Sequence, residues 1–350
     1  MTVHRSKIFT LWLVCLLTAL SHPRMHAVQF EDTPEASDPF FSAIVYGKLP
    51  RLKALIRSGR DPNQRMKSGI TPLMLAVGNQ RLGVTEFLLE KGADPNLTFP
   101  TGEKNSLLEY AVFTRKLKLV KTVVAGGCFV NVRNAAGESP FYQACANKDY
   151  EIVHYLIEQG VDIDEFCRVI RRSKWTSPYF VTPLISAAID SDLELTKILV
   201  EAGAKLNHTS WDGDTALACA ARAGAEDIVR YLIEKGADVN SRSYGGHSPI
   251  LYAAHQGKLE IVKMLFEAGA DPHAIACNRQ IPTGKWAKHY DPFYRAASGG
   301  HHEVAAFVLA AKKKKKPLPG SLTIPPMPEL PDPLLKYDDY SGWPMLLGNE

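Results

Sequence analysis

One short sequence unit recurs along the chain. Thr71-Pro72-Leu73 has close counterparts that begin at Ser139, Thr182, Thr215 and Ser248. Weaker copies begin at Asp38, Ser106 and Asp291. The eight starting positions are separated by 33, 35, 33, 43, 33, 33 and 43 residues. A basic period of 33 residues predicts a stack of small repeats, and it overrides the two or three globular domains that 350 residues would otherwise suggest.

Each unit carries signals for two helices and a turn. The Thr or Ser is a helix cap, and the Pro that follows is tolerated at the first helical position. Paired alanines such as Ala220-Ala221 let the first helix approach its neighbour, and the run Ile261 to Phe266 gives the second helix an apolar stripe. The segment Gly236 to Asn240 ends a second helix and opens a β-turn finger. No single unit buries its apolar face, so stability must come from stacking.

This pattern resembles the ankyrin repeat family over about residues 38 to 311. The resemblance implies an all-α fold: an ankyrin-repeat solenoid of about eight helix-turn-helix repeats with β-turn fingers and two enlarged inter-repeat loops. We expect the array at residues 38–316, with the first copy, in which Phe40-Phe41 replaces Pro-Leu, as its N-terminal cap.

The two 43-residue intervals each carry ten extra residues, at about 162–181 and 271–290. Basic and aromatic side chains alternate in both, including Arg171, Arg172 and Trp175 in the first and Lys285 and Trp286 in the second. Trp, Tyr and Arg are the side chains most often found as interface anchors, so we predict projecting contact loops. The alternative is that these aromatics pack on the edge of the array itself.

Family resemblance also indicates where a partner binds. Ankyrin proteins use their finger tips and first helices, and matching those positions selects a set of candidates in this chain. Trp211 and Tyr244 occupy the same repeat position and are expected to form adjacent steps of one aromatic row. A tryptophan resting on its own hairpin is the alternative. The remaining partner-binding candidates are Arg133, Asp212, Asp214, Arg222, Arg242, His247 and His255.

The two ends differ from the repeats. His4, Arg5 and Lys7 precede an apolar run of 13 residues from Ile8 to Leu20. A membrane-spanning helix needs about 20 residues, so we predict a secretory signal peptide at residues 1–27, cleaved after residue 21 or 27, and no stable membrane anchor. Residues 317–350 hold eight of the 23 prolines, which predicts an extended C-terminal tail.

Charge and motif content restrict the function. The chain has 41 Lys and Arg against 37 Asp and Glu, a balance that argues against nucleic acid as the main partner. Phosphate-binding loops, zinc-binding histidine pairs and nucleophile elbows are missing from the sequence, so we predict no enzyme activity, cofactor or metal.

Two cysteines of the mature chain are predicted to be buried thiols. Cys145 and Cys219 replace alanines of the repeat, which predicts small buried side chains. Cys167 and Cys277 lie in loops three repeats apart, too far for a disulfide.

These observations lead to one main functional hypothesis. An exported ankyrin array is similar to periplasmic immunity proteins that bind and occlude an antibacterial effector, such as a lipase delivered by type VI secretion. Two alternatives remain open: a periplasmic stress-protection protein that supports a catalase or the envelope, and an exported effector that acts on host proteins. The expected partner is a protein, and the expected compartment is the periplasm or, alternatively, the extracellular space.

Overall fold

The computed structural model describes residues 37–98, 106–134, 137–169, 179–274 and 291–314. Within these ranges the chain forms eight pairs of helices and one pair of short strands. The first helices of the pairs are α1 (Pro39–Val45), α3 (Pro72–Gly78), α5 (Leu107–Phe113), α7 (Pro140–Ala146), α9 (Pro183–Ile189), α11 (Ala216–Ala223), α13 (Pro249–His255) and α15 (Pro292–Ser298). The second helices are α2 (Leu49–Arg57), α4 (Leu82–Glu90), α6 (Leu117–Ala125), α8 (Tyr150–Glu158), α10 (Leu193–Glu201), α12 (Glu226–Glu234), α14 (Leu259–Glu267) and α16 (His302–Lys314).

Every first helix begins directly after one of the eight starting residues of the sequence repeat. In the first copy Pro39 takes the proline position after the cap Asp38, so the expectation that Phe40-Phe41 replaces Pro-Leu is wrong. Seven of these eight residues accept a hydrogen bond from a backbone amide two or three residues ahead. Thr71 Oγ1 accepts from the Met74 amide at 3.2 Å, for example, and Asp291 Oδ1 from the Tyr294 amide at 2.8 Å. Each such cap contributes about 1 kcal/mol to the helix that it starts, which explains why the repeat sets the helix boundaries.

The chain divides into two compact units, residues 1–129 and 130–350. In unit 1, α1 packs on α3, α3 on α5 and α4 on α6, around buried side chains such as Phe40, Leu73 and Leu108. In unit 2, α9, α11, α13 and α15 pack in succession. The predicted alanine pairs at 220–221 and 253–254 are fully buried there, since only small side chains let these helices approach so closely.

Asparagines tie consecutive fingers together. Asn63 Nδ2 donates to the Gly92 carbonyl at 3.0 Å, and Asn63 Oδ1 accepts from the Asp94 amide at 2.8 Å. Asn96, Asn131 and Asn240 make the same two bonds to the repeat that follows each of them. The side-chain amide fits this position because it both donates and accepts.

The first enlarged loop contains a structural element that the sequence did not predict. β1 (Cys167–Val169) and β2 (Tyr179–Val181) pair antiparallel, with Cys167 opposite Val181 and Arg168 opposite Phe180. Two strands of three residues have too little alternation to be visible as a periodic pattern. The two described ends of this loop therefore pair with each other, and we call β1 and β2 together the hairpin arm.

Cys145 and Cys219 are buried, as predicted from their alanine positions. Cys128 and Cys167 are also buried and unpaired, whereas Cys277 lies outside the described residues. The predicted signal peptide and the Pro-rich tail lie outside them as well. In the part of the chain that the structure describes, no helix combines the length and apolar character needed to cross a bilayer.

Candidate functional site

Three neighbouring loops of unit 2 are joined through their backbones. The Trp211 amide donates to the Phe180 carbonyl at 3.0 Å, and the Tyr244 amide donates to the Asp212 carbonyl at 3.0 Å. The Phe180 and Trp211 rings are tilted by 42° with centroids 5.9 Å apart. We call Phe180, Trp211 and Tyr244 the aromatic row; all three side chains are half-buried.

Glycine permits the close approach of the two fingers. Gly213 has φ of +81°, a left-handed conformation, and a Cβ atom built there would lie 2.7 Å from the Tyr244 amide nitrogen. The turn around Gly213 is closed by the bond from the Gly213 amide to the Ser210 carbonyl, at 2.9 Å. Because no other residue fits this contact, the distance between Trp211 and Tyr244 is fixed by the backbone.

A buried carboxylate holds an exposed arginine next to the row. Asp214 is only 2% exposed, and its Oδ2 accepts from Arg222 Nη1 at 2.9 Å. The Tyr252 hydroxyl donates to Asp214 Oδ1 at 2.9 Å, and the Arg222 guanidinium lies 5.1 Å from the Tyr252 ring centroid. The Arg222 side chain is 40% exposed, so a binding partner would meet Arg222 and not the carboxylate that positions it.

Burial shifts the titration of the groups in this network. It raises the pKa of Asp214, although the nearby Arg222 guanidinium opposes the shift. It also raises the pKa of Asp212 and of the Tyr252 hydroxyl, and for Tyr252 the adjacent Asp214 carboxylate adds to the effect. Desolvation disfavours the charged form of every acid, which explains the common direction.

Histidines continue the surface along the first helices. His247 stacks on the Tyr252 ring, with centroids 5.2 Å apart and an interplanar angle of 15°. Burial, followed by the charge of Arg295, lowers the pKa of His247 to about 4. Burial and Arg295 also lower the pKa of His255, which is exposed at the end of α13. We call Arg222, His247, His255 and Arg295 the cationic cluster; at neutral pH its charge comes from the two arginines.

Two further predicted residues belong to the edge of this surface. Asp212 lies half-buried between Trp211 and Gly213, and its carbonyl receives the Tyr244 amide. Arg242 is half-buried at the start of the Tyr244 finger. The structure thus brings together eight of the predicted partner-binding residues: Trp211, Asp212, Asp214, Arg222, Arg242, Tyr244, His247 and His255.

Arg133 lies in a separate finger and has a different local role. Its guanidinium pairs with the buried Glu165 at 3.2 Å and donates to the Phe166 carbonyl at 2.5 Å. Glu165 also accepts from the Ser139 hydroxyl, the cap of α7. Arg133 therefore links its finger to the first enlarged loop, while 42% of its side chain remains exposed. Arg171, Arg172, Trp175, Lys285 and Trp286 lie outside the described residues.

Sequence reasoning missed three residues of the surface: Phe180 as part of the row, and Tyr252 and Arg295 near the cationic cluster. Tyr252 and Arg295 occupy the same position of their repeats, four residues after the caps Ser248 and Asp291. That position lies about one helical turn before the position of Arg222 and His255, on the same helix face. Counting about one helical turn back from the repeat position of Arg222 and His255 could therefore have identified both Tyr252 and Arg295.

The chemistry of the surface is that of a binding site. Half-buried aromatic rings next to fixed guanidinium groups supply apolar contact together with directional hydrogen-bond donors. Within the residues described, no group of three or more His, Cys, Asp or Glu side chains is placed to hold a metal ion.

Comparison with known families agrees with this geometry. A family model described as "Ankyrin repeats (3 copies)" matches residues 11–99, 40–134 and 172–243. A second model, "Ankyrin repeats (many copies)", matches residues 250–309, and a third, "Ankyrin repeat", matches residues 136–165.

Individual relatives match part of this chain. A putative ankyrin repeat protein, L371, of Acanthamoeba polyphaga mimivirus is 26% identical over 155 residues, which are 44% of this chain and 19% of the viral protein. The phosphocholine transferase AnkX of Legionella pneumophila is 29% identical over 132 residues, or 36% of this chain and 14% of AnkX. This chain therefore spans a small part of either protein.

A solved structure gives the same fold. The ankyrin repeat domain of Bcl-3, described as a member of the IkappaB protein family, superposes with a TM-score of 0.55 at 26% identity. The match covers 64% of this chain and 97% of the Bcl-3 chain. The all-α repeat fold expected from the sequence is confirmed, and the fold is one that typically serves as a protein-interaction scaffold. The chain belongs to the ankyrin repeat family.

Proposed function

We propose that this chain is an exported, non-enzymatic immunity protein that binds an antibacterial effector in the periplasm and covers its active site. A lipase delivered by type VI secretion is the effector class that we favour. The protein-binding scaffold is implied by the family; the compartment, the effector and the absence of catalysis are parts of the proposal.

The observation that carries the proposal is the aromatic row beside the cationic cluster. Backbone hydrogen bonds fix Trp211 and Tyr244 on adjacent fingers, and Asp214 fixes Arg222 beside them. Rigid aromatic and arginine side chains lose little conformational entropy on binding, and they dominate the energetics of many protein interfaces. A surface of this kind suits steric occlusion, because it presents contact area without needing to move.

Export is supported by the short apolar segment at the N-terminus, whose 13 residues suit a cleaved signal better than a membrane span. Mass spectrometry of the periplasmic fraction should find a mature chain that starts near His22 or Val28. An intact species that starts at Met1 and stays in the cytosol would contradict export.

Photo-crosslinking tests the binding surface and identifies the partner. A photoreactive amino acid at position 211 or 244 should give one covalent adduct with an effector in cells, and the adduct is then identified by mass spectrometry. Position 230, where Arg230 is exposed on the second helix α12, is the matched control and should give none. Adducts at position 230 alone would place the contact elsewhere.

Titration tests the mechanism. Occlusion requires one chain for each effector molecule, so turnover by the captured effector should fall linearly and reach zero near a 1:1 ratio. Inactivation by a small fraction of an equivalent, or turnover of any substrate by the chain itself, would contradict the scaffold mechanism. Capture of a catalase or an envelope protein in place of a toxin would favour the stress-protection alternative.

A further inference from the structure

Charge is distributed unevenly along the chain. Residues 37–129 contain 14 Lys and Arg against seven Asp and Glu, a net charge of +7, whereas the rest of the chain contains 27 against 30. The net charge of +4 for the whole chain hides this difference. Unit 1 is therefore strongly basic, and it contains none of the residues of the aromatic row or the cationic cluster.

Five exposed cations of unit 1 lie where its second helices begin. Lys48, Arg81 and Lys116 directly precede α2, α4 and α6, and Arg51 and Lys118 lie in the first turns of α2 and α6. We call these five residues the basic turn edge. Arg81 Nε donates to the Val45 carbonyl at 2.7 Å, which places the second inter-helix turn against the first. Because α4 packs on α6, the third turn follows one helix spacing, about 8–10 Å, further along.

Acidic residues are missing from the first turns of α2, α4 and α6. All five second helices of unit 2 have an acidic residue there, beginning with Glu151 of α8 and ending with Glu303 of α16. Most described acids of unit 1 are engaged elsewhere: Asp61 and Asp94 accept finger amides, Asp38 pairs with Arg60, Glu90 pairs with Lys91, and Glu109 is buried.

Aromatic side chains accompany the cations. Tyr46 is 51% exposed in the first turn, where Lys48 Nζ lies 5.7 Å from its ring centroid, and Phe113 is 38% exposed just before the third turn. Exposed aromatic residues beside lysine and arginine are typical of surfaces that rest at the headgroup level of a membrane. A flat anionic surface needs no groove or pocket to bind these exposed side chains.

We propose that the basic turn edge is a docking surface for an anionic phospholipid bilayer. The cations attract the negative headgroups, and Tyr46 and Phe113 enter the headgroup layer between them. The association is peripheral and electrostatic, so it requires no membrane-spanning helix. It uses unit 1 and is independent of the partner site in unit 2.

The arrangement makes an unusual prediction about stability. The N-terminus of a helix carries a partial positive charge, so cations near it are unfavourable for folding and acids are favourable. Replacement of two edge cations in Arg51→Glu/Lys118→Glu should therefore raise the melting temperature while it weakens membrane binding. A residue kept only for stability would not show this opposite pair of effects.

Vesicle sedimentation tests the proposal with the full chain. Vesicles of phosphatidylcholine containing about 30% phosphatidylglycerol should bind the protein at low salt, whereas vesicles of phosphatidylcholine alone should not. Arg51→Glu/Lys118→Glu should lower the partition coefficient by at least about 25-fold, since each cation near an anionic membrane contributes about fivefold. The matched control, Arg230→Glu/Lys235→Glu, changes one exposed residue of α12 and the exposed residue directly after that helix. It makes the same change in net charge in unit 2 and should bind as the parent does.

Three results would overturn the proposal: no binding of the parent protein to the anionic vesicles, equal loss of binding in both double variants, or an unchanged partition coefficient in Arg51→Glu/Lys118→Glu. A fourth would be tighter binding to polyglutamate or to heparin than to vesicles at equal charge concentration. That result would assign the edge to an acidic protein or to another polyanion.

Discussion

His247 should make the stability of the fold depend on pH between about 6.5 and 4. Its imidazole is packed against Tyr252 and lies near Arg295, His255 and Arg222, and burial with these charges lowers its pKa from 6.5 to about 4. The unfolded chain therefore binds a proton at this residue below pH 6.5, whereas the folded chain resists it until about pH 4. Stability contributed by the neutral imidazole is fully present above pH 6.5 and is lost as the pH falls through this window.

The magnitude follows from the size of the shift. A difference of about 2.5 pKa units corresponds to about 3 kcal/mol, because one unit is 1.36 kcal/mol. Asp212, Asp214 and Glu165 act in the opposite direction, since burial raises their pKa values and their contribution grows on acidification. The pH dependence of the parent protein alone is consequently a sum of opposing effects.

Comparison with His247→Gln isolates the effect of this histidine. Urea unfolding followed by circular dichroism at pH 7, 6, 5 and 4 should show that the parent loses about 3 kcal/mol more than the variant over this range. The loss of the stacked ring lowers the stability of the variant by a constant amount at every pH. His154→Gln, at an exposed position of α8, should keep the pH dependence of the parent. Parallel curves for the parent and His247→Gln would refute the reasoning.

Three smaller predictions follow from the repeats. Gln80 and Ser191 adopt φ of +57° and +53° in inter-helix turns where other repeats have glycine, so Gln80→Gly and Ser191→Gly should each raise the unfolding free energy by about 0.5–1 kcal/mol, measured with urea. Gly224→Ala should lower the melting temperature, because Gly224 has φ of +79° and a Cβ atom there would lie 2.7 Å from Lys258 Cε. Asp164 Oδ1 accepts from the Lys205 amide at 3.0 Å, as Asn63 Oδ1 and the other finger asparagines accept from theirs, but Asp164 has no side-chain amide to donate to the Gly203 carbonyl. Asp164→Asn should therefore raise the unfolding free energy by up to about 1 kcal/mol, and a fall would show that the 3.8 Å ion pair with Lys205 matters more.

The helices were predictable because each repeat encodes them locally. A cap such as Thr71 and the proline after it determine where a first helix starts, and the 33-residue period repeats the same signal eight times. The burial of Cys145 and Cys219 followed from the same register, since both occupy alanine positions. Contacts within one repeat are short in sequence, so a local pattern is enough to predict them.

The site was predicted less completely because its contacts join different repeats. Register alone placed Trp211 and Tyr244 on adjacent fingers, but it gave no sign that Trp211 would pack on Phe180 of the hairpin arm. It also treated Asp214 as a surface residue, whereas the carboxylate is buried beneath Arg222 and Tyr252. A buried ion pair between a finger and a helix depends on side-chain directions that one sequence does not reveal.

The basic turn edge was visible in the sequence but was obscured by the total charge. A net charge of +4 over 350 residues looks balanced, and only a count for residues 37–129 reveals the excess of +7. Counting charge for each repeat, and noting which second helices begin without an acid, would have found Lys48, Arg81 and Lys116 before the structure was known.

Hydrogen exchange on the complex with the captured partner tests the central claim most directly. Backbone amides of the fingers at 209–215 and 242–247, and of the first helices α11 and α13 beside them, should exchange more slowly when the partner is bound. The second helices α10, α12 and α14 should be unaffected. Protection confined to those second helices, with no change at the two fingers, would contradict the assignment of the aromatic row and the cationic cluster as the binding surface.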